Sequence, residues 1–167
     1  MGITRLNHAV LYVSDVDRSR RFYSEVLGFQ AKSGASAEAV FARAAGSDND
    51  HDLALFRRNL GQQRSGPFSP NGEAPGPNEP AAGLYHLAWE VDSLAELERI
   101  RDELARLGIL GMEEDHGVHK SVYGRDPDGL LFEVAWFPPA ELLTDEDRSR
   151  PSGPLDFAAE KRRFGGK

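Results

Sequence analysis

The sequence predicts an α+β fold in which one supersecondary unit is used twice. Three observations carry that prediction. The segments "LNHAVLYVSDVDRSRRFYSEVLGF" (6–29) and "LYHLAWEVDSLAELERIRDELARLGI" (84–109) follow one plan. Each opens on an apolar strand whose third residue is a histidine, His8 or His86, and each closes on Leu-Gly-apolar. Short strand candidates then follow: "AEAVFARAA" and "HDLALF" after the first, "KSVYGRD" and "LLFEVAWF" after the second.

Taken in order, each first strand passes a turn able to cap a helix, at Asp15 and at Asp92-Ser93. The helix after it has amphipathic spacing, clearest as Leu94, Leu97, Ile100, Leu104 and Leu107. Gly28 and Gly108 suit left-handed C-terminal caps. The unit is therefore strand, helix, then two or three strands. Residues 1–60 form the first module and 84–137 the second. Between them, 61–83 is so rich in Gly and Pro that it must be loop, either a linker or a lid over a site. Residues 138–167 form a polar C-terminal extension with one helix candidate, "PLDFAAEKRRF", expected on the outside of the fold or against a partner subunit.

Composition narrows the function. Of 167 residues, 40% are apolar and 28% charged, an ordinary globular mix. The net charge of −7 argues against nucleic acid and anionic membrane surfaces, which need a basic face. The chain has no cysteine, which excludes disulfides, thiolate metal sites and thiol nucleophiles. Without a spanning apolar run or an export leader, a cytoplasmic location is expected.

Strand alternation sorts the polar residues. His8 shares a face with Leu6, Val10 and Tyr12; His86 with Ala88 and Glu90; Glu133 with Leu131 and Ala135. The opposite, bulkier faces should pack on the helices and leave these lining a cavity. A carboxylate inside a sheet is costly unless paired, hydrogen-bonded or bound to metal. Two histidines and one carboxylate form the facial triad that holds non-haem Fe(II), and the same set could hold Mn(II) or Zn(II). His8, His86 and Glu133 are thus the candidate metal ligands.

These repeats, with the ending "YGRDPDGLLFEV", resemble the vicinal oxygen chelate superfamily over about residues 3–137. That superfamily includes glyoxalase I, bleomycin- and fosfomycin-resistance proteins, methylmalonyl-CoA epimerase and extradiol dioxygenases. The resemblance implies two βαβββ modules whose sheets curve around one metal site. It is strongest toward catechol 2,3-type extradiol dioxygenases, whose iron is held by residues corresponding to His8, His86 and Glu133. Their signature is matched by His116, Val122-Tyr123, Asp126-Pro127, Gly129 and Glu133. Glu114 departs from it, since the family has a small or β-branched residue there, and His119 offers a second register with a shorter spacer. The family's histidine before a Leu-Ala pair is matched by His51.

The resemblance implies an enzyme that cleaves a small aromatic diol with O2 to a hydroxymuconic semialdehyde-type product. Fe(II) would be its cofactor, His51 its proton carrier, and His116 and Tyr123 the groups that steady charge on the substrate. Aligning "DLALF" with "EVAWF" instead sets Asp52 opposite Glu133. Asp52 as a fourth ligand would fit a glyoxalase- or epimerase-like isomerase on Zn(II), Ni(II) or Co(II). A drug-sequestering protein of the resistance type is a third reading. A homodimer is expected, as single pairs of modules in this superfamily often associate.

Overall fold

Alternating burial along short strands and a three-to-four-residue apolar stripe along two helices build the fold. The computed structural model describes residues 2–3, 5–57 and 84–165. The expected 61–83 lid lies outside the described residues. The chain divides into two units, Met1–Leu84 and Tyr85–Lys167.

The first unit runs β1 (Ala9–Val13), α1 (Val16–Glu25), β2 (Gln30–Ala31), β3 (Ala39–Arg43) and β4 (Leu53–Arg57). Its sheet order is β1-β4-β3-β2, with β1 parallel to β4 and the other pairs antiparallel. The Asp15 carboxylate accepts the Arg18 N–H at 2.9 Å and caps α1. Gly28, at φ +77°, turns the chain out of it. Val16, Phe22, Tyr23, Val40, Leu53 and Leu55 are buried, each such large apolar side chain contributing roughly 1.5–3 kcal/mol.

The second unit repeats the plan with β5 (Leu87–Val91), α2 (Leu94–Arg106), β6 (Leu110–Asp115), β7 (Lys120–Arg125) and β8 (Leu131–Trp136). Ser93 caps α2 through the Glu96 N–H, and Leu94, Leu97, Ile100 and Leu104 are buried on it. Leu107, expected on the same stripe, is the C-cap residue and is exposed. Both assigned first strands begin one residue after their histidines.

The C-terminal extension belongs to the second unit. After α3 (Asp145–Ser149), β9 (Gly153–Pro154) pairs antiparallel with β6, giving the order β5-β8-β7-β6-β9. Helix α4 (Phe157–Phe164) packs on α2 and β8: Arg101 lies over the Phe157 ring, and Phe164 meets Trp136 edge-on. The join is tight at Gly117, where a Cβ would come within 2.0 Å of the Asp147 carbonyl oxygen. Only glycine fits there. No helix among the described residues is long and apolar enough to cross a membrane.

Asp147 locks α3 in place. Its carboxylate accepts from Arg163 and from both the Thr144 N–H and hydroxyl. The Arg163 hydrogen bonds hold it well below the usual carboxylate range, outweighing a burial effect of opposite sign. A carboxyl depressed by folding stabilises fully above its unfolded pKa of about 3.9, and that stability is lost as pH falls below it. The stability of the second unit should therefore drop steeply below about pH 4. In Asp147→Asn that acid limb should flatten, as read by thermal unfolding between pH 2.5 and 6.

Candidate active site

In each sheet one face meets the helices and the other carries the histidines. Strands β5, β8 and β7 bring His86, Glu133 and Tyr123 together on the second unit's polar face. The Asp126-Pro127-Asp128-Gly129 turn sets this register. Asp126 Oδ1 accepts the N–H groups of Asp128 and Leu130, both at 2.9 Å, and Gly129 takes φ +84°. Tyr123 and Glu133 become direct cross-strand partners, and Glu133 also lies beside Ala88 of β5.

Glu133 is buried and its oxygens are surrounded by donors. Ser121 Oγ donates to Oε1 at 2.5 Å, His86 Nε2 lies 3.0 Å from Oε2, and His119 Nε2 lies 3.7 Å from Oε1. Two atoms bound to one cation at about 2.1 Å and at right angles lie about 3 Å apart. The His86–Glu133 spacing therefore suits neighbouring ligands of a divalent ion. Imidazole and carboxylate also suit iron, manganese or zinc. The buried His86 Nδ1 has no hydrogen-bond partner among the described residues.

A second donor set overlaps the first. The ligand atoms of His116, His119 and Glu133 all lie within 4.8 Å of one another. Burial pushes the His119 pKa down, helped by neighbouring His116 and opposed by Glu133, which keeps its ring neutral and able to ligate. The His116 and His119 rings stack at 4.5 Å, and Phe137 stacks on His119 from beyond.

Tyr123 completes this face. Its hydroxyl lies 3.1 Å from His116 Nε2 and its ring stands edge-on to His86. Burial, then the negative charges of Glu133 and Glu114, push its pKa up to about 12. The phenol stays protonated near neutral pH and acts as a hydrogen-bond donor.

In the first unit His8 and His51 meet, with ring centroids 4.6 Å apart, and Phe41 stands edge-on to His51 at 5.0 Å. Asn7 Oδ1 accepts from His8 Nδ1 at 2.8 Å and Asp50 Oδ2 from His51 Nδ1 at 3.0 Å. Each ring then keeps an Nε2 lone pair, able to bind a metal or to take a proton.

Asp52 takes neither role. It accepts from the Ala44 N–H, the Ser47 hydroxyl and the Asn49 amide, at 2.7–2.8 Å. Burial would raise its pKa, but these hydrogen bonds outweigh it and hold the carboxyl below the ordinary range. The sheet register also corrects the alignment that set Asp52 opposite Glu133. Val10 pairs with Ala54 in the first unit as Ala88 pairs with Glu133 in the second, each two residues past its histidine. The counterpart of Glu133 is therefore Ala54. Sequence reading passed over Ser121 and Ser152, whose hydroxyls hold Glu133 and His116. Ser121 carries one signal, since it alternates with Tyr123 on β7.

Comparison with known proteins follows the same lines. The model of the glyoxalase/bleomycin resistance protein/dioxygenase superfamily matches residues 5–134. The chain is 31% identical to the uncharacterized protein YaeR of Escherichia coli (strain K12) over 80% of its own length and 97% of that protein's. It is 28% identical to the catechol-2,3-dioxygenase of Bacillus subtilis (strain 168) over 78% of its length, but spans only 41% of that enzyme. Among solved structures, a lactoylglutathione lyase from Agrobacterium tumefaciens shares the fold, with a TM-score of 0.56 at 24% identity over 81% of this chain and 96% of that one.

Proposed function

Because the chain belongs to the glyoxalase/bleomycin resistance protein/dioxygenase superfamily, we propose that it is a non-haem iron dioxygenase opening the ring of a catechol-type diol with O2. The observation that carries this reading is the count of candidate ligands. The second unit offers His86 beside Glu133, while the first offers His8 but Ala54 at the position corresponding to Glu133. Two histidines and one carboxylate leave positions open for substrate, whereas the isomerase reading needed Asp52 as a fourth ligand. That carboxylate is held by Ala44, Ser47 and Asn49. Similarity to a catechol-2,3-dioxygenase supports the substrate class.

His8, His86 and Glu133 would hold the metal. Divalent iron bound there supplies Lewis acidity and redox chemistry toward a catechol and dioxygen. The remaining work falls to the chain's own groups. His51, with Nδ1 tied to Asp50, takes a proton from a diol hydroxyl at Nε2 and returns it to the product. Tyr123, protonated near neutral pH, donates a hydrogen bond to a substrate oxygen as charge builds there. His116 Nε2, 3.1 Å from the Tyr123 hydroxyl, supports the same oxygen.

The test is oxygen uptake by the anaerobically purified chain loaded with Fe(II), mixed with a panel of catechols in air. One O2 consumed per catechol, with a new yellow ring-opened product, is expected. Bound iron with no uptake from any catechol would overturn the assignment.

A further inference from the structure

The family match ends at residue 134, yet the C-terminal extension beyond it sets a side chain against His116. Strand β9 pairs with β6 so that Asp115 faces Gly153 and Glu114 faces Pro154. The preceding residue, Ser152, is brought alongside His116, and its Oγ lies 2.8 Å from His116 Nδ1 across 36 residues of sequence. Ionic contacts anchor the extension on either side: half-buried Arg150 pairs with Asp115, and buried Lys120 approaches Glu160 at 3.6 Å.

The proton positions follow from the neighbours. His116 Nε2 faces two acceptors, the Tyr123 hydroxyl oxygen at 3.1 Å and a Glu114 carboxylate oxygen at 3.3 Å. Without substrate, the Tyr123 proton is directed to Glu133, its cross-strand partner, with which it shares a hydrogen bond. A neutral His116 therefore carries its proton on Nε2 and leaves Nδ1 as an acceptor, which only a donating hydroxyl can satisfy. We infer that Ser152, from the C-terminal extension, is a positioning residue of the active site, donating its hydroxyl proton to His116 Nδ1 and locking His116 as the Nε2–H tautomer aimed at Tyr123 and the substrate. The catalytic part of the claim rests on the dioxygenase reading above; the tautomer part does not. Orienting partners of this kind fix which imidazole nitrogen does the chemistry.

Two readouts test it. Nitrogen-15 NMR of the full chain, with the His116 signals identified from their loss in His116→Gln, should give one Nε2–H tautomer in the parent protein. Ser152→Ala should move both ring-nitrogen signals toward a mixture of tautomers, and Ser152→Thr, which keeps the donor at an exposed position, should restore them. In the iron-loaded enzyme Ser152→Ala should lower kcat about 10-fold with KM within about 2-fold, at the low end for losing an orienting partner. Ser152→Thr should recover the rate. Unchanged His116 signals in Ser152→Ala, or a tautomer change with unchanged kcat, would overturn the inference. A tautomer change in a protein that turns over no catechol would uphold the contact and remove only the dioxygenase reading.

Discussion

Replacing His86 by alanine removes tight divalent-metal binding and catechol turnover together, while replacing His119 leaves metal binding intact. The expectation follows from geometry around Glu133. His86 Nε2 sits at the spacing of adjacent ligands, 3.0 Å from Oε2, whereas His119 Nε2 is 3.7 Å from Oε1 and shares its environment with a stacked His116. Losing an outer partner of a metal ligand already costs roughly 10–100-fold in affinity or activity, and losing the ligand itself should exceed that. Anaerobic Fe(II) titration of the two variants, with circular dichroism to confirm folding, measures the difference. In His86→Ala the Glu133 carboxylate keeps Ser121 as a donor, so the unit should still fold. The reverse pattern, with metal lost in His119→Ala and kept in His86→Ala, would assign the ion to the His116, His119 and Glu133 set instead.

The sequence announced what was periodic or repeated. His8 and His86 stood out because two strands shared a plan, and Glu133 because it interrupts an apolar strand that buries Phe132, Val134 and Trp136. Strand β6 is not among the strand candidates, since Gly111, Glu113 and Glu114 give it no apolar alternation; pairing with β7 on one side and β9 on the other makes it a strand. The alignment of "DLALF" with "EVAWF" misled at the start of β4, where the sheet register puts Asp52 on the face of His8. The Ala44–Asn49 connection captures that carboxylate instead, while His51 turns against His8 and Phe41. Such capture depends on three loop donors with no periodic signature. Ser152 was less legible still, because its partner lies 36 residues away and a serine beside a proline reads as turn.

The same long-range logic makes Asp115 the residue whose loss should cost most stability. Lys120 is wholly buried on the helix-facing side of β7, where a sequence reader expects an apolar residue. It is tolerated because Asp115 accepts from its ammonium at 2.6 Å, from the Gly117 N–H at 2.8 Å and from Arg150. In Asp115→Ala the ammonium keeps only the Gly117 carbonyl at 3.0 Å and a Glu160 oxygen at 3.6 Å, and the Arg150 tie to the extension goes with it. Breaking a buried ion pair from one side costs about 3–5 kcal/mol, which for a chain of this size lowers Tm by roughly 10 °C or more. Lys32→Ala, which removes an exposed pair with Asp50, is the control and should change stability by less than about 0.5 kcal/mol. Equal Tm values for the two variants would mean that water already solvates Lys120 and that the network does not hold the extension. With the expected difference, the extension is fastened by charge at Asp115 and Asp147 and carries Ser152 to His116 as a consequence. Catalysis and the stability of the last thirty residues would then fail together when Asp115 is removed, and separately when Ser152 is.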